Sequence, residues 1–289
     1  MPTALITGYK GFIGSYLYEQ LRNEGWKVFG MDLPQDVGKK RDWQSILSCG
    51  PVNYIFHLAG QLDDYYEGKP NFASYIDVNI RSIALMFEVI AENKIPIKKI
   101  LVASSQSVYG EGDNKNEFDK LEPLSLYGAS KAAMEQVFIT LGRNLKIPSI
   151  ALRYSIVLGP GQKYKDRDSR ILPCFVKMAE DGLITIHEDG NQTRDFINIH
   201  DLIDAHLFIA KNDDINYGPI NVGSGTTTKV IEVAEYIANK FNAKIYPSGK
   251  KRINTARNQT MNINLLKTLG WKPRFTWKDA VDEYIKAGF

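Results

Sequence analysis

Thr3-Ala4-Leu5-Ile6-Thr7-Gly8-Tyr9-Lys10-Gly11-Phe12-Ile13-Gly14 decides the fold. Thr3 to Thr7 reads as a buried strand. The glycines behind it lead straight into a helix whose apolar face is Phe12, Ile13, Leu17 and Leu21. A phosphate needs backbone N–H donors at a helix N-terminus, and glycine lets the backbone approach it closely. The spacing is Gly-x-x-Gly-x-x-Gly, one residue longer at its start than the commonest dinucleotide fingerprint. By itself the turn is equally compatible with a Gly-rich strand–helix connection that holds no ligand.

Further along, strand-like runs stand at Lys27–Met31, Tyr54–Leu58, Lys99–Ser104, Ser149–Leu152 and Phe196–Ile199. Helical stretches include the Ile83, Phe87, Ile90 face, Leu126–Leu145, His200–Ala210 and Val230–Phe241. Short strands alternating with helices predict right-handed crossovers and a parallel sheet covered on both faces. Past Gly159-Pro160-Gly161 the character changes. A charged loop follows (Lys163, Lys165, Asp166, Arg167, Asp168, Arg170), and Gly190, Pro219, Gly223 and Gly225 punctuate the rest. The expected division is a dinucleotide-binding domain over 1–155, with return segments near 196–211, and a smaller lobe over most of 156–289.

Over 289 residues, 36 basic and 33 acidic side chains leave a charge of only +3, so nucleic acid is not an expected partner. Two cysteines, Cys49 and Cys174, make no disulfide framework, and no apolar run approaches the ~18 residues of a membrane span. A strand beginning at Thr3 leaves no room for a leader in this reading. A soluble, cytoplasmic protein without a membrane partner is expected.

Asp32 ends the second strand, 18 residues past Gly14, where a carboxylate can bind an adenosine ribose and repel a 2′-phosphate. Its alternative is a solvated turn acid. Lys39, Lys40 and Arg41 read as an exposed basic turn, so NAD is favoured over NADP. His57-Leu58-Ala59-Gly60 puts small residues at a strand end, where they leave space beside a cofactor or simply pack closely. His57 itself reads as a satisfied strand-end histidine. His187, His200 and His206 lack metal-ligand spacing, so no metal is assigned.

The strand ending at Ala103-Ser104-Ser105 is followed, 22 residues after Ser105, by Tyr127-Gly128-Ala129-Ser130-Lys131. Residues four apart share a helix face, so phenol and ammonium can point into one cleft. A nearby cation favours phenolate and readies the tyrosine for proton transfer. Tyr-x-x-x-Lys occurs four times, also at Tyr65/Lys69, Tyr236/Lys240 and Tyr246/Lys250. Those three read as solvated pairs, because only Tyr127/Lys131 follows a Ser-rich strand end beside a dinucleotide turn.

With these residues in view, the chain resembles the extended short-chain dehydrogenase/reductase family, in its NAD-dependent epimerase/dehydratase branch acting on nucleotide-linked sugars. Further matching segments are Asp77-Val78-Asn79, Leu152-Arg153-Tyr154, Gly159-Pro160-Gly161-Gln162, Gly190 to Phe196, Asn221-Val222-Gly223 and Leu269-Gly270-Trp271. The resemblance implies an α/β fold: a Rossmann-type doubly wound parallel sheet with a smaller α/β substrate-binding lobe, and a homodimer. It implies Ser105, Tyr127 and Lys131 as catalytic residues. Cofactor contacts would come from Gly8, Gly11, Phe12, Ile13, Gly14, Asp32, Asp42, Leu58, Ala59, Gly60, Asn79, Ala103, Ser104, Tyr127, Lys131 and Tyr154, with Trp43 a further adenine contact. Ser107, Tyr127, Arg194 and Arg257 would meet the substrate, the arginines at its diphosphate. The alternative for Arg194 is a surface ion pair with Asp195.

The departures bear on reaction type. Sugar dehydratases of the family usually carry an Asp-Glu pair where this chain has Gln106 and Ser107, which disfavours dehydration. Ile156 replaces a frequent Asn, and the loop from Asp32 to Asp42 is short. The leading expectation is an NAD-dependent nucleotide-sugar epimerase inverting C4 through a transient 4-keto sugar. A reductase of 4-keto-6-deoxy sugar nucleotides using NAD(P)H comes second, and a non-catalytic dinucleotide sensor third.

Overall fold

The computed structural model describes residues 1–62, 72–164, 170–251 and 255–288. Tyr65/Lys69 and the 165–168 part of the charged loop lie outside the described residues. The chain folds as two compact units: residues 1–108, 121–154 and 203–220 form one, and 109–120, 155–202 and 221–289 the other.

The first unit is built on a six-stranded sheet. Strands β1 (Thr3–Thr7) and β2 (Lys27–Met31) are joined by helix α1 (Phe12–Asn23). Helix α2 (Lys40–Leu47) leads into β3 (Tyr54–His57). A π-helical stretch, Tyr75–Arg81, runs into α3 (Ser82–Glu92), which precedes β4 (Lys99–Ser105). Helix α4 (Leu126–Leu145) leads to β5 (Ser149–Tyr154), and α5 (Ile199–Lys211) precedes β6 (Tyr217–Val222). The order across the sheet is β6-β5-β4-β3-β1-β2, and the pairs from β2 through β5 are parallel.

β1, β3 and β5 are buried along their whole length, as strands covered on both faces must be, hence their continuous apolar runs. Their core holds Leu5, Ile55, Met86, Phe87, Phe138 and Trp43. Trp43 is 0% exposed and donates its indole N–H to Val37 O at 2.8 Å. This corrects its reading as an adenine contact, because a ring enclosed by core side chains has no face left for a ligand. In the sheet β1 lies between β2 and β3. The chain departs to opposite sides there, and the crevice at the carboxyl ends of β1 and β3 is where such sheets bind ligands.

The second unit pairs Ile156–Leu158 with Phe196–Asn198 and Leu183–Ile186 with Lys244–Pro247, each parallel, and adds a four-stranded sheet that includes Gly112–Lys115 and Gln259–Met261. Its core gathers Leu158, Phe175, Ile184, Phe196, Val233 and Tyr284. The Asn221-Val222-Gly223 motif finds its structural reasons here. Asn221 is fully buried, accepts the Tyr109 hydroxyl at 2.7 Å, and donates to the carbonyls of Lys115 and Asn262. A Cβ on Gly223 would lie 2.6 Å from Asp195 Oδ2, so the chain needs glycine at that point.

Candidate active site

The glycine turn forms as its spacing predicts. Gly8 has φ +72°, a left-handed conformation that favours glycine, and its N–H donates to Met31 O at 2.8 Å. A Cβ on Gly14 would sit 2.1 Å from Gly8 O and 2.7 Å from Tyr9 Cα. Helix α1 starts after Gly11 with no side-chain cap and no acid in its first turn. A helix start without a side-chain cap or a first-turn acid suits a pyrophosphate. Asp32 accepts the N–H groups of Lys10 and Leu33, both at 2.9 Å, so this carboxylate is tied to the turn itself. The basic side chains nearby are paired with acids: Lys39 with Asp36, Lys40 with Glu88 and Glu92, Arg41 with Asp42. Asp42 also accepts the Asp36 N–H at 2.9 Å and so holds its own short loop. These residues fit NAD.

Across the crevice, Ala59 N donates to Thr7 Oγ1 at 3.1 Å. Thr7 Oγ1 and His57 Nδ1 lie 2.8 Å apart, and His57 Nε2 lies 3.3 Å from Ser82 Oγ. Ser82 gives its proton to Val78 O at 2.6 Å, so Nε2 is the donor to Ser82 and Nδ1 accepts from Thr7. His57 is therefore a neutral, fully bonded core histidine. Burial, reinforced by the Lys131 charge, holds its pKa down to about 3.

That shift makes a prediction. Stability from neutral His57 is complete above the ordinary pKa of about 6.5 and is lost as pH falls toward 3, because the unfolded chain takes up a proton that the folded one refuses. The full loss is on the order of 5 kcal/mol, and roughly 2 kcal/mol of it falls between pH 6.5 and 5. Urea unfolding at pH 7 and pH 5 should show that slope in the wild type and a flatter one in His57→Asn. Equal slopes would contradict the assignment.

Asn79, carried on the π-helical stretch, holds the other wall. Its Oδ1 accepts Gln61 N at 2.8 Å. Its Nδ2 donates to Gln61 O at 3.1 Å and to Ser130 Oγ at 2.9 Å. Ser130 in turn donates to Tyr127 O at 2.8 Å. Leu58 and Ala59 are half-buried and Gly60 is exposed.

The Ser/Tyr/Lys group assembles at the end of β4. Ser125 caps α4 by accepting Gly128 N at 3.1 Å. A Cβ on Gly128 would lie 2.5 Å from Ser107 O, so glycine lets the helix start against the residues after β4. Ser105 Oγ donates to Ser107 Oγ and accepts Ser107 N, both at 3.1 Å. The Lys131 Nζ donates to Ala103 O at 2.9 Å, stands 5.9 Å from the Tyr127 ring centroid, and would lie 3.0 Å from a Cβ on Gly60. Burial lowers the Lys131 pKa to about 8, against the opposing charge of Glu135. The Tyr127 ring is half-buried, which leaves a phenol beside a desolvated ammonium. Such a pair can take a proton from a hydroxyl and give it back.

Two expected cofactor contacts have side chains engaged elsewhere. Ser104 is 2% exposed and donates to Glu135 Oε1 at 2.5 Å, which leaves its backbone for that role. Tyr154 Oη lies 2.7 Å from His206 Nε2, both buried, and burial together with the Tyr127 charge pushes the Tyr154 phenol well up.

In the second unit, Arg194 donates to the carbonyls of Thr193, Ala256 and Arg257 at 2.7, 2.7 and 2.8 Å. Arg257 is 44% exposed and pairs with Glu188 and Asp189. Asp195 is fully buried and accepts Ser224 N, Ser224 Oγ and Gly225 N. Tyr236/Lys240 is a surface pair completed by Asp282, and Tyr246 is 58% exposed. Among the described residues no group of three or more His, Cys, Asp or Glu could hold a metal ion, and no helix is long and apolar enough to cross a membrane. Thr7, Gly128, Ser130, Glu135 and Arg153 were not singled out in the sequence. Gly128 and Ser130 sit inside the Tyr127–Lys131 motif, but nothing local to them signals their contacts.

A parallel sheet with a glycine turn at its switch point, an acid just past β2 and a Tyr/Lys pair beside the end of β4 defines a dinucleotide-dependent enzyme. The model of the NAD dependent epimerase/dehydratase family matches residues 4–223. The dTDP-L-rhamnose 4-epimerase of Burkholderia thailandensis is 26% identical over 96% of this chain and 93% of its own length. The dTDP-4-dehydro-6-deoxyglucose reductase of Escherichia coli is 28% identical over 98% of this chain and 96% of its own. The structure of UDP-N-acetylglucosamine 4-epimerase from Methanobrevibacter ruminantium, in complex with UDP-N-acetylmuramic acid, matches with a TM-score of 0.87 at 25% identity, covering 99% of this chain and 98% of that one. The chain belongs to the NAD dependent epimerase/dehydratase family, and NAD is its cofactor.

Proposed function

We propose that the protein is an NAD-dependent nucleotide-sugar epimerase that inverts C4 of an NDP-hexose through a transient 4-keto sugar. The observation that carries the reading is the Tyr127/Lys131 pair at the start of α4, with Ser105 at the end of β4. Tyr127 Oη takes the proton of the sugar hydroxyl, and the Ser105 and Ser107 hydroxyls orient that oxygen. NAD, when bound, would supply the acceptor for the hydride leaving the same carbon; return of that hydride to the opposite face of the transient keto sugar would invert the centre and consume no cofactor. Tyr127 then gives the proton back to the inverted alcohol. Lys131 holds the nicotinamide ribose and favours the phenolate. The glycine turn and Asp32 hold the pyrophosphate and the adenosine ribose.

The second unit is the proposed substrate lobe, with Arg194 and Arg257 at the diphosphate. Arg257 can exchange partners cheaply, because half-exposed ion pairs are worth roughly 0–1 kcal/mol. Gln106 and Ser107 supply no acid/base pair, which supports epimerisation over dehydration. The reading extends to a homodimer, which the family resemblance supports, and to the cytoplasm, which the two free thiols support.

Purified protein with catalytic NAD and a panel of UDP-, GDP- and dTDP-hexoses, followed by NMR of the anomeric protons, tests the reading. A second epimer signal without net NAD reduction is expected. Stoichiometric NADPH oxidation with a 4-keto sugar would instead establish the reductase, the activity named for the Escherichia coli relative. Tight NAD binding with every sugar unchanged would leave the sensor.

A further inference from the structure

One buried cluster lies behind the catalytic group. Glu135 is 0% exposed and stands one helical turn after Lys131 on α4. Its Oε1 accepts the Ser104 hydroxyl at 2.5 Å and Arg153 Nε at 3.0 Å, and its Oε2 accepts Arg153 Nη2 at 2.6 Å. Arg153 lies on β5, where Ser104 is its direct neighbour across the sheet. One residue earlier on β4, Ala103 O receives Lys131 Nζ. Consecutive residues of β4 are therefore held by consecutive turns of α4.

We propose that Glu135, clamped by Ser104 and Arg153, is a positioning residue for Lys131: it fixes α4 against the end of β4 and supplies the buried counter-charge for the ammonium. A buried ion pair is weak evidence for stability, since replacing both partners by apolar groups is often neutral. Its place behind a catalytic lysine gives it a different task. Burial disfavours the charged amine, and Glu135 is the acid that opposes this. Other groups near Lys131 are Tyr127 on its own helix, His57 on β3, which stays neutral, and the Asn79 amide. On β5, Arg153 is already committed to Glu135. Glu135 holds the turn of α4 that follows Lys131 against β4 and β5 through Ser104 and Arg153. Its effect on turnover rests on the epimerase reading above.

The full-length protein, labelled with ¹³C at lysine Cε, gives the direct test, with the Lys131 resonance assigned through Lys131→Arg. In Glu135→Gln/Arg153→Met, which leaves no orphan charge, the Lys131 titration midpoint should fall by ~1 unit, and the alkaline limb of kcat should move down with it. A midpoint and pH profile like the wild type's would overturn the proposal and leave a merely structural pair. Glu135→Asp keeps the charge but shortens the clamp. It should keep the midpoint and lose ~10-fold in kcat with KM little changed, and an unchanged kcat would overturn the positioning role even if the double variant fails to fold. Should no sugar turn over in the wild type, the epimerase reading fails while the lysine titration still decides the inference.

Discussion

Replacing Tyr127 with Phe should lower kcat by ~10³-fold or more while NAD stays bound. Positioned general acid–base groups contribute ~10²–10⁴-fold. Tyr127 is the phenol that stands beside the buried Lys131 ammonium at the end of β4. Phenylalanine keeps the ring and removes only the proton-carrying oxygen. The fold should be intact, because the ring is half-buried and α4 is capped by Ser125 rather than by the phenol. The measurement is a pair of titrations, sugar turnover by NMR and NAD binding by calorimetry. Near-normal turnover would sink the assignment of Tyr127. Loss of NAD binding together with turnover would mean that the oxygen has a binding role instead.

Gly14→Ala should weaken NAD binding by at least ~100-fold, about 2.7 kcal/mol. The added methyl meets Gly8 O at 2.1 Å and Tyr9 Cα at 2.7 Å, both backbone atoms, so neither can swing aside. Relief requires opening the turn proposed to bind the pyrophosphate. Overpacking of this kind also costs roughly 1–3 kcal/mol of stability, a Tm drop of several degrees. Gly25→Ala is the control. Its φ is +79°, so alanine is strained there, but no atom lies within 4 Å of the new methyl. It should lose stability and leave NAD affinity alone. Wild-type affinity in Gly14→Ala would show that the turn is not the phosphate site.

Several elements of both units were legible in the sequence. Lys27–Met31, Leu126–Leu145 and Val230–Phe241 have the bounds that their periodicity predicts. Others differ at their ends: β5 runs on to Tyr154, because its last residues pair with Ser104 and Ser105 of β4 rather than stopping where the apolar run does. Trp43 was misread for a related reason. The family resemblance implied a ligand contact, whereas the short loop folds it inward and closes on it through the Val37 carbonyl. Asp42, its neighbour, holds Asp36 N. In the second unit the arginines were visible as types, but their partners were not, since Arg194 bonds carbonyls more than 60 residues away.

By itself the sequence determined the class of fold and the glycine turn between β1 and α1, and it singled out Asp32 and, among four equal spacings, Tyr127/Lys131. Hydrophobic period, glycine spacing and helix register are properties of neighbours along the chain, so they can be read without the fold. Only the tertiary structure decided that His57 is a neutral core residue, that Gly128 seats α4 on Ser107, and that Glu135, Ser104 and Arg153 close one cluster behind Lys131. Ser104 is 31 residues from Glu135, and Arg153 is 18. Nothing local joins these three. They meet because parallel pairing sets β5 beside β4 under the helix that connects them, and burial then favours hydrogen bonds among their polar atoms.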